Sequence, residues 1–296
     1  MARGILRGAI TALAALALAA CGTETAEEQS GPAPAPALWE LTGDDGQLAY
    51  LFGTIHTLPE GANWRTGTID RALAQSDMLV LEIAALDDSA AIAAEFARLG
   101  QSAGNGNLSH RIDPELRDEL AVLLEQAGSL DQDFAQIESW AAALMLVQAT
   151  APADEGEGVD VALLRGNATM EVAELEGIAD QLGRFDSLPE KEQVDLLTAV
   201  IESAPDSEAE SKRLMDNWLY GDVEAMVEET NQGLLADPEL RAALMTNRNR
   251  EWVPKIEAWL AEGHKPFIAA GAAHMVGPDG LPAQLTQRGW TIKRIQ

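Results

Sequence analysis

Two stretches of the chain share a pattern that chemistry can use. In "YLFGTIHTLPEG" (residues 50–61) an apolar run stops at Gly53 and His56 follows three residues later. In "FIAAGAAHMVGPDG" (267–280) Gly271 and His274 repeat the arrangement. Each reads as a strand, Gly-x-x-His, then a turn containing Pro and Gly, and together they use two of the chain's four histidines. A single Gly-x-x-His arises readily by chance. Two of them, each closing an apolar run, suggest a shared destination. Glu82 stands near the end of "MLVLEI" (78–83), an otherwise uncharged run. An ionised carboxylate in such a setting costs on the order of several kcal/mol unless it is paired or bound to a cation. Two imidazoles and one carboxylate are the ligand set of a catalytic zinc-type site that keeps a position open for water. A metal held there lowers the pKa of that water towards about 7 and polarises a carbonyl. The three residues are far apart in sequence and no HExxH helix is present, so the residues alone lean towards two loop-orienting histidines and a glutamate paired with an arginine.

A partner for that second arrangement exists. "TNRNREW" (246–252) concentrates Arg248, Asn249 and Arg250 ahead of an apolar helical stripe. One reading is a helix start with Asn capping and solvated arginines. In the other, Arg248 or Asn249 points into the crevice, fixing Glu82 or stabilising an oxyanion. His110 and His264 have no comparable setting and read as surface residues.

These side chains need strands to carry them. "LAYLFG" (48–53), "MLVLEI" (78–83) and "PFIAAG" (266–271) read as strands, the second with the near-continuous apolarity of a strand covered on both faces. "ATMEVAEL" (168–175) is a further candidate, and the alternating "GWTIKRI" (289–295) suits an edge. Between them the pattern turns helical. Leu116, Leu120, Leu123 and Leu124 follow Asp113 as N-cap and Pro114 as first helical residue. Ser187 to Glu190 forms a capping-box pattern ahead of Val194, Leu197 and Ile201, and Trp252, Ile256, Trp259 and Leu260 form a stripe that breaks at Gly263. Strand-then-helix order at both ends predicts an α/β fold: a central mixed β-sheet built from strands of both chain ends, flanked by helices, with a long helical middle segment. In an open sheet of this kind, strand carboxyl ends line the ligand crevice, where His56, Glu82 and His274 would meet if their strands are near neighbours.

The remaining sequence bounds location and partners. Residues 1–20 carry Arg3 and Arg7 ahead of an uncharged apolar run, the layout of a secretory signal. Leu18-Ala19-Ala20-Cys21 resembles a lipobox, so Cys21, the only cysteine, is expected to carry lipid. Residues 21–37, with alternating Pro and Ala, are expected to be a lipidated cysteine and disordered tether, leaving 38–296 as a single domain. The expected place is a bacterial cell envelope, facing the periplasm from the outer membrane. A net charge of −28 disfavours nucleic acid as a partner and flat attachment to anionic lipid, leaving the membrane contact to the anchor.

The stretches "LWEL", "LAYLFGTIHTLPEG", "SDMLVLEI", "GVDVALL", "VAELEGIADQL", "RNREW" and "FIAAGAAHMVGPDGLPAQLTQRGWTIKRI" resemble, in that order, the TraB/GumN family, which includes the Tiki proteins. The likeness covers residues 38–296 and is strongest at the two Gly-x-x-His motifs. It implies a metal-dependent hydrolase, since Tiki proteins are membrane-tethered proteases that use divalent metal to trim the amino-terminal region of secreted signalling proteins. By the same resemblance His56 and His274 match the motif histidines, Glu82 the strand-end glutamate, and Arg248 and Asn249 the "RN" before the last long helix. Glu176, in "AELEG", matches a family glutamate whose role the residues do not supply. The chain is expected to depart from animal members in using a lipid anchor in place of a membrane helix.

The expected function is therefore a lipid-anchored, metal-dependent peptidase acting on peptides or protein amino-terminal segments. Its metal would lie on His56, His274 and Glu82, with Glu82 as ligand or general base. Zinc, manganese and cobalt all suit such ligands. The alternative, prompted by family members associated with peptide pheromones, is a lipoprotein that sequesters peptide without cleavage. A third option is hydrolysis of a non-peptide ester.

Overall fold

The computed structural model describes residues 33–296 except residue 60, 86–87, 151–154 and 205–206. The expected signal segment, Cys21 and most of the expected tether lie outside the described residues. Among the described residues the strands are β1 (Leu38–Thr42), β2 (Leu48–Thr54), β3 (Thr57–Pro59), β4 (Met78–Leu81), β5 (Glu155–Glu157), β6 (Glu171–Glu174), β7 (Pro266–Gly271) and β8 (Thr291–Arg294). The helices are α1 (Gly67–Gln75), α2 (Ser89–Leu99), α3 (Arg117–Gln126), α4 (Ser139–Thr150), α5 (Val159–Gly166), α6 (Ile178–Asp186), α7 (Glu190–Ser203), α8 (Ser207–Leu219), α9 (Val223–Glu229), α10 (Pro238–Arg241), α11 (Asn247–Ala261) and α12 (Leu281–Gln287). None of the described helices is long and apolar enough to cross a membrane.

Six strands form one mixed sheet in the order β6-β4-β7-β2-β1-β8. The four at one side, β6, β4, β7 and β2, run parallel, and β1 pairs antiparallel with both β2 and β8. Parallel strands buried on both faces need apolar side chains throughout. Accordingly all four residues of β4 are buried, as is every residue of β2 beyond Leu48. Strands from both chain ends thus meet in one sheet, with a long helical middle between them. The register fixes the site: Thr54 lies opposite Gly271, so the two Gly-x-x-His segments leave neighbouring strands at one level.

Buried apolar side chains fall into two large groups. One surrounds the sheet and includes Phe52, Trp64, Trp218, Trp252 and Phe267. The other belongs to the helical middle and includes Leu120, Phe134, Trp140, Leu182, Leu197 and Ile201.

Three sequence expectations need correction. Ser187 does not open a capping box: α7 starts after Pro189, while the Ser187 hydroxyl donates to the Arg184 carbonyl and closes α6. The tether does not run as free chain to residue 37, because the Ala35 N–H donates to the Leu219 carbonyl at 2.8 Å and Ala37 is buried. A Pro-Ala composition lacks bulk for a core of its own but leaves backbone groups that a preformed surface can pair. Arg248 and Asn249 do not lie at a solvated helix start, since a π-helical turn over Ala242–Thr246 runs directly into α11.

A two-stranded ribbon, β3 with β5, stands beside His56 and hands the chain to α5. The Val159 N–H donates to the Ile55 carbonyl at 3.0 Å, so the start of α5 touches the backbone leaving β2. A Cβ on Gly158 would collide with the His56 carbonyl oxygen, which makes the absence of a side chain there a requirement. Gly158→Ala is expected to destabilise the protein by about 1–3 kcal/mol through overpacking. Gly183→Ala, with open space in α6, should be neutral or stabilising by up to about 1 kcal/mol. Urea midpoints of the two variants test the contrast.

Candidate functional site

The site forms where β2, β7, β4 and β6 end at the same edge of the sheet. Pairing continues past the last strand residues: the Leu175 N–H donates to the Leu81 carbonyl at 2.8 Å, and the Glu176 N–H to the Glu82 carbonyl at 3.1 Å. This sets the carboxylates of Glu82 and Glu176 side by side. Both are buried, and Arg248, also buried, reaches them from α11. Its Nη2 donates to Glu82 Oε2 at 2.6 Å and to Glu176 Oε1 at 2.5 Å, while Nε donates to Glu176 Oε2 at 3.1 Å. The other Glu82 oxygen accepts from the Gly271 N–H at 2.6 Å, and Gln181 Nε2 adds a bond to Oε2 at 3.2 Å.

The π-turn lies just ahead of both residues and sets the phase with which α11 turns Arg248 and Asn249 inward. An inserted residue shifts the helical phase, and such turns recur at functional sites. Arg248 Nη1 donates to the carbonyl of Leu244, within that turn, at 2.9 Å. Asn249 uses its amide nitrogen on the Asp279 carbonyl at 2.9 Å and the His274 carbonyl at 3.4 Å. The amide oxygen is thereby left facing His274 Nδ1 at 2.7 Å. An oxygen acceptor at Nδ1 places the imidazole proton there, so Nε2 carries the lone pair, 3.1 Å from Arg248 Nη1. Trp252 packs against the same ring in a tilted arrangement at 4.5 Å between centroids and lies under the Arg248 guanidinium at 4.8 Å.

Burial disfavours the charged form of His274 and, with the Arg248 guanidinium, lowers its pKa to about 4, against the opposing pull of Glu82. The ring is neutral at pH 7. Burial pushes the Glu82 pKa up, but His274, Arg248 and the Gly271 N–H outweigh it and bring the value to about 2. Glu82 is therefore ionised.

His56 differs. Its side chain is 80% exposed, and Nδ1 lies 3.3 Å from Asp160 Oδ2. Asp160 is buried in the first turn of α5 and accepts from the Thr54 hydroxyl at 2.8 Å through its other oxygen. Beside His56 this carboxylate holds the imidazole pKa above its usual value. Oδ2 has no hydrogen bond of proper geometry, a buried acceptor left to the histidine.

A cavity of about 520 Å³ is lined by His56, Glu82, Arg248 and His274 together with Thr54 and Gly271. Both motif histidines, the strand-end glutamate and the arginine thus face one space, whereas Asn249 stands behind His274 and Glu176 behind Arg248. His110 and His264 lie elsewhere; His264 is 3.7 Å from Asp77. Two contributors were not singled out by the sequence: Asp160, inside "GVDVALL", and Gln181 on α6. A carboxylate opening a helix directly after the Gly-rich "EGEG" was the available signal for Asp160. Gln181 had none.

Removing Arg248 would leave two carboxylates buried together. Arg248→Met is expected to cost about 3–5 kcal/mol in denaturant unfolding. Glu176→Gln in the same chain should recover part of that loss. Both depressed pKa values act in one direction. The unfolded chain binds more protons than the folded one from the usual 6.5 of histidine down to about 4, and from the usual 4.5 of glutamate down to about 2. Without added divalent cations, stability should fall as pH drops through both windows, and His274→Gln should flatten the upper one.

The family described as TraB/PrgY/gumN matches residues 37–294. No curated protein and no solved structure matches the chain. With that match extending across the whole sheet and every residue of the cluster, the chain belongs to the TraB/PrgY/gumN family.

Proposed function

We propose that the chain is a metal-dependent hydrolase, most simply a peptidase acting on peptides or protein amino-terminal segments, held at a bacterial cell envelope by lipid on Cys21. The observation that carries the reading is the delivery of His56, Glu82 and His274 into one cavity from the ends of the adjacent strands β2, β4 and β7.

The donor chemistry fits a divalent cation. Metal-binding imidazoles are commonly backed at their second nitrogen by a carboxylate or carbonyl oxygen. Asn249 stands in that position for His274 and Asp160 for His56. Glu82, Glu176 and Asp160 outnumber the single Arg248 guanidinium, an electrostatic setting that attracts positive charge. Among the described residues no three His, Cys, Asp or Glu side chains already converge at metal-binding distance. Arg248 holds Glu82 and faces His274 Nε2, so a cation competes with the guanidinium for both.

His56 and His274 would hold the metal through Nε2, with Glu82 as third ligand; zinc, manganese and cobalt suit these donors. When bound, such a metal supplies a water of lowered pKa and a Lewis acid for the substrate carbonyl. Asn249 keeps the lone pair of His274 on Nε2, and Asp160 aims His56. If Glu82 is not a ligand, it is the base that receives the proton of the attacking water. Arg248 offers N–H donors to an oxyanion.

A second reading is peptide sequestration without cleavage, favoured by the pairing of the Arg248 guanidinium with both Glu82 and Glu176. Elemental analysis of the purified protein separates the two. The hydrolase reading expects near-stoichiometric metal, with affinity reduced at least about tenfold in His56→Ala and His274→Ala, and metal-dependent cleavage in a peptide screen. No metal after incubation with zinc, manganese or cobalt would overturn it. The lipid anchor expects Cys21→Ala to move the protein from the membrane to the soluble fraction.

A further inference from the structure

The cavity has a second half that the polar cluster leaves unused. Its other wall is formed by Leu144 on α4, Leu182 and Phe185 on α6, Leu214 and Trp218 on α8, and Met226 on α9. Trp218 and Met226 belong to the apolar group around the sheet, whereas Leu144, Leu182 and Phe185 belong to that of the helical middle. The cavity therefore follows the seam between the two groups. The indole N–H of Trp218 donates to the Gly53 carbonyl at 2.7 Å, so the ring offers only carbon to the cavity. Leu214 is 40% exposed, an apolar side chain kept in water at this wall. The polar residues nearby are engaged: Glu229 accepts from Arg213 at 2.8 and 2.9 Å, and the Thr230 hydroxyl donates to the Val227 carbonyl at 2.8 Å.

An occupant must be apolar at one end and polar at the other. Hydrocarbon laid across the whole cavity would cover Glu82 and Arg248 without replacing their hydration. A fatty carboxylate would bring negative charge to a floor where Glu82, backed by Glu176 and Asp160, already faces a single guanidinium. A peptide meets both demands, with a neutral amide towards the polar floor and a side chain towards the apolar wall. The volume of about 520 Å³ suits one large side chain with its adjoining backbone.

We propose that this wall is a specificity pocket for a large aliphatic or aromatic side chain, adjacent to the peptide bond presented to His56, Glu82, Arg248 and His274. The proposal rests on the hydrolase reading for the fate of that bond, but not for binding. Leu214 is its most accessible determinant, because its exposure lets it be exchanged without opening the core.

Blocked tripeptides Ala-X-Ala, with X as Leu, Phe, Ala or Asp, are titrated into the full protein while the Trp218 indole and Met226 methyl signals are followed by NMR. Cleavage is scored separately. Leu and Phe peptides should bind at least about tenfold more tightly than Asp and shift both signals. Leu214→Lys should lose the preference, and Leu214→Met should keep it. Equal affinity for Leu and Asp, no binding of any peptide, or an unchanged preference in Leu214→Lys overturns the pocket. Preferential binding without cleavage keeps the pocket and removes the hydrolase reading. Cleavage indifferent to X keeps the hydrolase and removes the pocket.

Discussion

One guanidinium holds two buried carboxylates, and the geometry of the whole sheet edge follows from it. Taking three charges out of water costs on the order of several kcal/mol per ion, offset only when geometry is good and the remaining hydrogen-bonding positions are filled. Arg248 meets that condition: Nε and Nη2 face Glu176, Nη2 reaches Glu82, and Nη1 is shared between the Leu244 carbonyl and His274. A cluster of this kind adds little over a well-packed apolar core of the same shape, but it tolerates few alternative arrangements. Its contribution is to register: the ends of β4 and β6 must lie level, and α11 must cross at a depth that lets the fork reach both.

The same helix transmits a second constraint through Asn249. Arg241 binds Asp279 with two bonds of 2.8 Å, and the Thr246 hydroxyl adds a third at 2.7 Å. Asp279, so held, offers its carbonyl to the Asn249 amide, which turns the amide oxygen to His274. The tautomer of a buried histidine is thus set by a chain of neutral hydrogen bonds that starts at an ion pair on the rim. Burial then keeps the ring uncharged, which preserves the lone pair on Nε2. The π-turn serves both constraints, because it sets the helical phase with which α11 presents Arg248 towards Glu176 and Asn249 towards His274.

What the sequence could reveal was whatever depends on short-range pattern. The apolar runs of β2, β4 and β7 are continuous because both faces are covered, and the glycines stand where backbones approach. Gly53 leaves 3.1 Å between a would-be Cβ and Ala272 Cα; Gly271 leaves 3.2 Å to Glu82 Oε1. The shared level of His56 and His274 followed from two like motifs on strands that proved adjacent. What local pattern could not supply was set by tertiary contact. "TNRNRE" has the polar composition of a helix start, yet burial against the sheet edge carries the helix through it by way of the π-turn. Asp160 reads as an ordinary first-turn acid until Gly158 is seen to admit the His56 backbone beside it. The role of Glu176 was invisible for the same reason: its partner lies seventy-two positions away.

The cluster also bears on the proposed binding of a cation at Glu82. Glu176 engages the Nε and Nη2 donors of Arg248 together, in the two-pronged geometry that gives arginine–carboxylate pairs their strength. Glu82 receives a single bond from that guanidinium, with Gly271 and Gln181 supplying the rest. A cation drawn to Glu82 and the two imidazoles would displace the Arg248 contacts to Glu82 and to His274 Nε2 and leave its pairing with Glu176 whole. Neither the guanidinium nor Glu176 would then be buried without an opposite charge, which is the state that makes breaking an ion pair expensive. Glu82 is the exchangeable member of the cluster because Glu176 is not.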